Sequence, residues 1–73
     1  MNRLLCILEQ LHPEVDFVRE ERLVERGILD SFDIVTIVAE TEDAYGARIP
    51  PEELTPENFN SARALYALIS RLL

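Results

Sequence analysis

The nine residues Gly27-Ile28-Leu29-Asp30-Ser31-Phe32-Asp33-Ile34-Val35 constrain this chain more than any other stretch. A glycine and two apolar residues lead into an Asp-Ser pair, and a strongly patterned helix starts there. Read locally, Asp30 or Ser31 is an N-cap whose side-chain oxygen accepts a hydrogen bond from a first-turn N–H that the helix leaves unpaired. Asp33 stands three residues after Asp30, where a capping-box acid belongs. A hydroxyl is thereby placed at a helix start, whether or not it serves as the cap.

The helix that follows carries more apolar surface than a core needs. At about 100° per residue, Ile34, Ile37, Val38, Thr41 and Tyr45 share the face that a small bundle would bury. Phe32, Val35 and Ala39 fall away from it, close to Ser31 and interleaved with Thr36, Glu42 and Asp43. Unless another segment covers Phe32 and Val35, an apolar strip rimmed by acids beside a presented serine has the composition of a docking surface. The spacing predicts a helix over residues 31–45, stopped by Gly46.

Three further helices are predicted, which makes the chain all-α. Leu4, Ile7, Leu8 and Leu11 share one face of a first helix that His12-Pro13 ends. Thr55-Pro56-Glu57 reads as an N-cap, a first-position proline and a first-turn acid, opening a short helix that ends near Phe59, a core anchor. Asn60 or Ser61 then caps a last helix with Ala62, Leu65, Tyr66, Ile69 and Leu73 on one face. Ile49-Pro50-Pro51 is expected to be extended, because each proline fixes its own φ and disfavours helix in the residue before it. Tyr45 and Tyr66 are expected as core or boundary aromatics with a wet hydroxyl.

Residues 14–30 form the longest connection, and a compact domain must tether it. Val15, Phe17, Leu23, Val24, Ile28 and Leu29 are the apolar tethers, residues 23–26 have the length of one helical turn, and Gly27 supplies backbone freedom. Arg19, Glu20, Glu21, Arg22, Glu25 and Arg26 alternate in sign, as a solvated face does.

Seven arginines and no lysine stand against fourteen acids, a formal charge of −7. That balance argues against a nucleic-acid backbone as partner and favours basic partners reached by electrostatic steering. Cys6 lies opposite the core face of its helix, and a lone cysteine makes no internal disulfide and matches no metal-ligand spacing. His12 is equally solitary and reads as a helix-end residue. No triad, metal cluster or phosphate-binding glycine loop is present, so no catalytic or metal-binding residue is assigned. The apolar start from Met1 to Leu8 is too short to span a membrane and lacks a cleavage site. The expectation is one domain over residues 1–73, cytoplasmic and monomeric, with the exposed strip and Cys6 as two routes to a dimer.

Gly27-Ile28-Leu29-Asp30-Ser31-Phe32 resembles the prosthetic-group attachment motif of the acyl carrier protein family, in which an Asp-Ser pair opens the second helix of a four-helix bundle. Gly46-Ala47-Arg48-Ile49-Pro50 and Asn58-Phe59-Asn60-Ser61 are similar to later parts of that family, and the likeness covers nearly the whole chain. It implies three longer helices and one short one. It also implies that Ser31 carries 4′-phosphopantetheine, donated by coenzyme A through a separate phosphopantetheinyl transferase. A phosphodiester there would meet free N–H groups and the positive end of the helix dipole.

The resemblance further implies an acyl or aminoacyl cargo held as a thioester, a loading ligase, and downstream enzymes that transfer or modify the cargo. The surface offered to them would comprise Asp30, Phe32, Asp33, Val35, Thr36, Ala39, Glu42 and Asp43. Phe32 stands where carriers of fatty acid biosynthesis usually have leucine. With Gly27-Ile28-Leu29 before it, the motif looks more like stand-alone carriers that serve aminoacyl or unusual acyl ligases, such as the D-alanyl carriers. The alternative, from another class, is a small acidic interaction or dimerisation module that uses the Phe32/Val35 strip and has no prosthetic group.

Overall fold

Leu4, Ile7 and Leu8 are buried along one side of helix α1 (Asn2–Leu11), with Leu11 half-buried at its end and Cys6 exposed on the other side. The computed structural model describes residues 2–73, so Met1 of the apolar start lies outside them. The described residues hold four α-helices and no strand, an acyl-carrier-type bundle of three longer helices and one short one.

Helix α2 (Ser31–Tyr45) has the expected bounds because both ends are fixed by local chemistry. Asp30 caps its start, and Gly46 ends it at φ +71°, donating its N–H to the Glu42 carbonyl at 2.9 Å. A side chain would make that left-handed conformation costly. Ile37 and Thr41 are buried, and Ile34, Val38 and Tyr45 pack against the same core. Helix α1 packs against α2 and runs antiparallel to it. Arg3, near the start of α1, donates from Nη1 to the Ala44 carbonyl near the end of α2 at 2.7 Å, and His12, just past α1, meets Asp33 in the first turn of α2.

Helix α3 (Pro56–Phe59) opens as expected, with the Thr55 side chain accepting from the Asn58 N–H and Pro56 in the first turn, where no N–H is needed. Ser61, not Asn60, caps helix α4 (Ala62–Leu72), its Oγ accepting from the Ala64 N–H at 3.0 Å. The buried face of α4 is Ala62, Leu65, Leu68 and Ile69. Tyr66 and Leu73, assigned to that face from spacing, are exposed. The face is turned toward Leu68 because α1 and α3 both pack against α4, and Leu73 lies past the last helical residue.

Two further local expectations fail. Pro50 is extended (φ −71°, ψ 153°), but Pro51 opens a 3₁₀ turn over Pro51–Glu53. The φ that proline fixes suits the first position of a helical turn as well as an extended chain. The Tyr45 hydroxyl is not wet: it is buried without a hydrogen-bond partner, carried in by a ring packed on the core.

The connection across residues 12–30 is part of the core. Phe17, Leu23 and Leu29 are buried in it beside Ile37, Ile49, Phe59 and Leu65, while Val15, Val24 and Ile28 pack at its edge. Burying one such side chain is worth roughly 1.5–3 kcal/mol, so the connection is held by the same force as the helices. The Arg26 N–H reaches the Arg22 carbonyl at 2.8 Å, closing a single turn, and Gly27 follows at φ +73°.

Candidate functional site

After Gly27 the N–H groups of Ile28 and Leu29 both donate to the Leu23 carbonyl, at 2.9 and 3.0 Å, and the Leu29 side chain is buried. The chain therefore reaches Asp30 anchored on one side. Asp30 is extended (φ −102°, ψ −176°), and its Oδ1 accepts from the Asp33 N–H at 2.9 Å. Asp33 Oδ2 accepts in return from the Asp30 N–H at 3.3 Å, which completes a capping box.

Asp30 thus does the capping that sequence alone left open between it and Ser31. Ser31 is the first helical residue, exposed, and its hydroxyl makes no hydrogen bond among the described residues. Of the first-turn donors, the Asp33 N–H goes to Asp30 Oδ1 and the Ile34 N–H to the Asp30 carbonyl at 3.0 Å. The N–H groups of Ser31 and Phe32 have no partner among the described residues. An alcohol free to be substituted, beside open backbone donors at the positive end of a 15-residue helix, suits a phosphodiester. No side-chain base among the described residues is hydrogen-bonded to the Ser31 hydroxyl.

Phe32 and Val35 are 77% and 65% exposed, and no segment covers them. Ala39, Glu42 and Asp43 continue the same face into solvent, Asp30 is exposed at its head, and Thr36 is half-buried with its hydroxyl donating to the Phe32 carbonyl at 3.0 Å. Glu42 lies 3.5 Å from Arg48. Asp33 departs from the expectation that it joins this display. Its carboxylate is only 15% exposed, tied to the Asp30 N–H and to His12 Nε2 at 2.8 Å.

Burial pushes the Asp33 carboxyl up, but hydrogen bonds from His12 and from the Asp30 backbone outweigh it and hold the group below the usual carboxylate range. The hydrogen bond to Asp33 raises His12, against the opposing effect of burial and with further help from Glu14, 3.2 Å from Nδ1. Sequence reading treated His12 as solitary. The only available signal was that it ends one helix while Asp33 begins the next.

Residues 4–69 match a family model described as a phosphopantetheine attachment site. The chain is 36% identical over 63 residues to aminoacyl carrier protein 1 of Bradyrhizobium diazoefficiens, spanning 86% of this chain and 69% of that protein. It is 30% identical over 71 residues to the D-alanyl carrier protein of Streptococcus suis, spanning 96% of this chain and 90% of that one. A solved structure described as the crystal structure of an FAD-dependent dehydrogenase contains a similar chain, with a TM-score of 0.72 and 34% identity, covering 99% of this chain and 100% of that chain. The likeness spans the whole helical bundle, and the described residues hold no strand that could begin the strand, glycine-rich turn and helix of a dinucleotide-binding unit. The described residues hold no group of side chains arranged for a metal ion and no helix long and apolar enough to cross a membrane. The chain belongs to the acyl carrier protein family: it is a non-catalytic carrier, and its cofactor is 4′-phosphopantetheine.

Proposed function

We propose that residues 1–73 act as one carrier domain in which Ser31 bears 4′-phosphopantetheine and the thiol of that group holds an aminoacyl or other small acyl cargo as a thioester. One observation carries the assignment to Ser31. Its hydroxyl is exposed and uncommitted at the head of α2 because Asp30 and Asp33 satisfy the cap between them. The interaction module without a prosthetic group falls away with membership of the family.

The names of the relatives favour an aminoacyl cargo over a role in fatty acid biosynthesis, in line with Phe32 after the serine. A phosphopantetheinyl transferase would charge Ser31 from coenzyme A, and a ligase would load the cargo. The similar chain in the FAD-dependent dehydrogenase structure supports adding a flavin-dependent oxidation of the tethered cargo to the downstream steps open to this chain.

Docking would use Asp30, Phe32, Val35, Thr36, Ala39, Glu42 and Asp43, with basic groups of the partner meeting the acids and apolar groups meeting Phe32 and Val35. A formal charge of −7 supports protein partners rather than nucleic acid, and self-repulsion supports a monomer. The lone exposed thiol of Cys6 suits the reducing cytoplasm, where coenzyme A is at hand.

The test is intact mass after incubation with coenzyme A, magnesium and a broad-specificity phosphopantetheinyl transferase. The wild-type chain gains one phosphopantetheine and Ser31→Ala gains none. A folded wild-type chain left unmodified by a transferase active on another carrier, or a Ser31→Ala chain that is still modified, overturns the assignment.

A further inference from the structure

We infer that His12 is a positioning residue for Ser31: held between the carboxylates of Glu14 and Asp33, its ring fixes the first turn of α2 in the geometry in which Ser31 is modified. The inference rests on the reading of Ser31 as the attachment site.

His12 is the one histidine in the chain, and both of its ring nitrogens face carboxylate oxygens. Nε2 lies 2.8 Å from Asp33 Oδ2, and Nδ1 lies 3.2 Å from Glu14 Oε2. An ionised carboxylate only accepts, so both contacts are hydrogen bonds only when both nitrogens carry protons. A neutral ring would have to turn a lone pair on one of the two. The geometry therefore selects the imidazolium, and the upward shift of the His12 pKa agrees with it. The charged groups that act on the ring are Glu14, from the connection after α1, and Asp33, from α2; no group of α1, α3 or α4 adds to them.

Asp33 Oδ2 serves two donors, the His12 ring and the N–H of Asp30, the residue just before Ser31. The Asp33 N–H is in turn held by Asp30 Oδ1. The proton on His12 is thus two hydrogen bonds from the backbone that delivers Ser31. With the ring charged, the Asp33 carboxylate is pinned over the capping box. Once the ring is neutral it keeps at most one of its two hydrogen bonds and no charge, so the Asp33 carboxylate is held less firmly and the cap loosens.

The test follows the transferase reaction on the unmodified chain from about pH 5 to about pH 8, where a histidine of this kind titrates. Dividing the wild-type kcat/KM by that of His12→Gln at each pH removes the transferase's own pH dependence. The expected ratio is about fivefold at the acid end, the effect of one charge-assisted hydrogen bond in a partly exposed site. It falls toward one as His12 loses its proton. Glu14→Gln, which changes an exposed side chain and keeps the Asp33 contact, moves the midpoint of that fall to lower pH.

In the unmodified wild-type chain, the Asp33 amide chemical shift is expected to move with the same midpoint as the imidazole titration. A ratio flat with pH, a Glu14→Gln midpoint that does not move, or an imidazole that titrates without affecting the Asp33 amide each overturns the inference. A folded wild-type chain that accepts no phosphopantetheine at any pH counts instead against Ser31 as the attachment site, and the NMR titration then decides alone whether His12 controls the cap.

Discussion

The side-chain oxygen of Asn60 accepts from the Val24 N–H at 3.0 Å and from the Glu25 N–H at 3.1 Å, while the Asn60 carbonyl accepts from the Leu23 N–H at 2.9 Å. One residue at the junction of α3 and α4 holds three consecutive amides of the connection that leads to Ser31. Amides that no helix or sheet serves need partners from elsewhere in the chain, and Asn60 provides them.

Asn60→Ala removes the acceptor from two of those amides and is expected to cost about 1–3 kcal/mol. Asn60→Asp keeps the oxygen and should recover most of the loss. Urea midpoints at unchanged denaturant slope measure both. A silent Asn60→Ala would mean that water replaces the side chain there at no cost.

The capping box predicts opposite outcomes for neighbouring residues. Asp30→Ala should destabilise the fold by about 1 kcal/mol, within the usual range for a lost N-cap, and Asp30→Asn by much less. Ser31→Ala should stay within about 0.5 kcal/mol of wild type, because the Ser31 hydroxyl caps nothing. Thermal unfolding of the three unmodified variants checks this, and a large loss for Ser31→Ala would assign the cap to the wrong residue.

The His12–Asp33 pair should be visible in stability against pH. The folded-state pKa of His12 lies above 6.5, so its contribution is complete below that value and is lost as pH rises through the raised pKa. The folded-state pKa of Asp33 lies below 3.8, so its contribution is complete above that value and is lost as pH falls through the lowered pKa. The gap in unfolding free energy between wild type and His12→Gln should therefore be widest between pH 3.8 and 6.5, at about 1 kcal/mol, and close on both sides. A gap that stays constant from acid to alkaline pH would show that the two groups do not titrate as a pair.

Phe32 and Phe59 separate display from support. Phe59 is 1% exposed in the centre of the core, and Phe59→Ala should cost about 3–5 kcal/mol. Phe32→Ala should change stability by no more than about 0.5 kcal/mol while lowering the kcat/KM of phosphopantetheine transfer to the chain. Denaturation and transferase assays on the same two variants test the contrast; a Phe32→Ala chain modified at the wild-type rate would remove Phe32 from the docking surface.

What could be read from the sequence was whatever a few neighbouring residues decide. The bounds of α2 follow from Asp30 and Gly46, and the exposure of Phe32 and Val35 follows from their angular distance from Ile37 and Thr41. Pro51 was misjudged because the same fixed φ serves both an extended chain and a 3₁₀ start. Leu68 displaced Tyr66 in the core because the roll of α4 is set by the helices packed on it, which its own spacing does not encode. The hydrogen bonds from His12 to Asp33 and from the Val24 N–H to Asn60 join residues 21 and 36 positions apart, and no local pattern marks such partners.

Because α2 is fastened to α1 through Asp33 at its first turn and through Ala44 near its last, it is a beam clamped at both ends. A beam held in that way resists bending and rolling when something presses on its free side. An enzyme docking on the Phe32/Val35 face, as proposed, would meet a nearly fixed profile while both clamps hold. Discrimination among such visitors would then fall to the few side chains along that face and to flexibility on the visitor's side, so that one substitution on the beam would shift which enzymes are received while the bundle beneath is untouched.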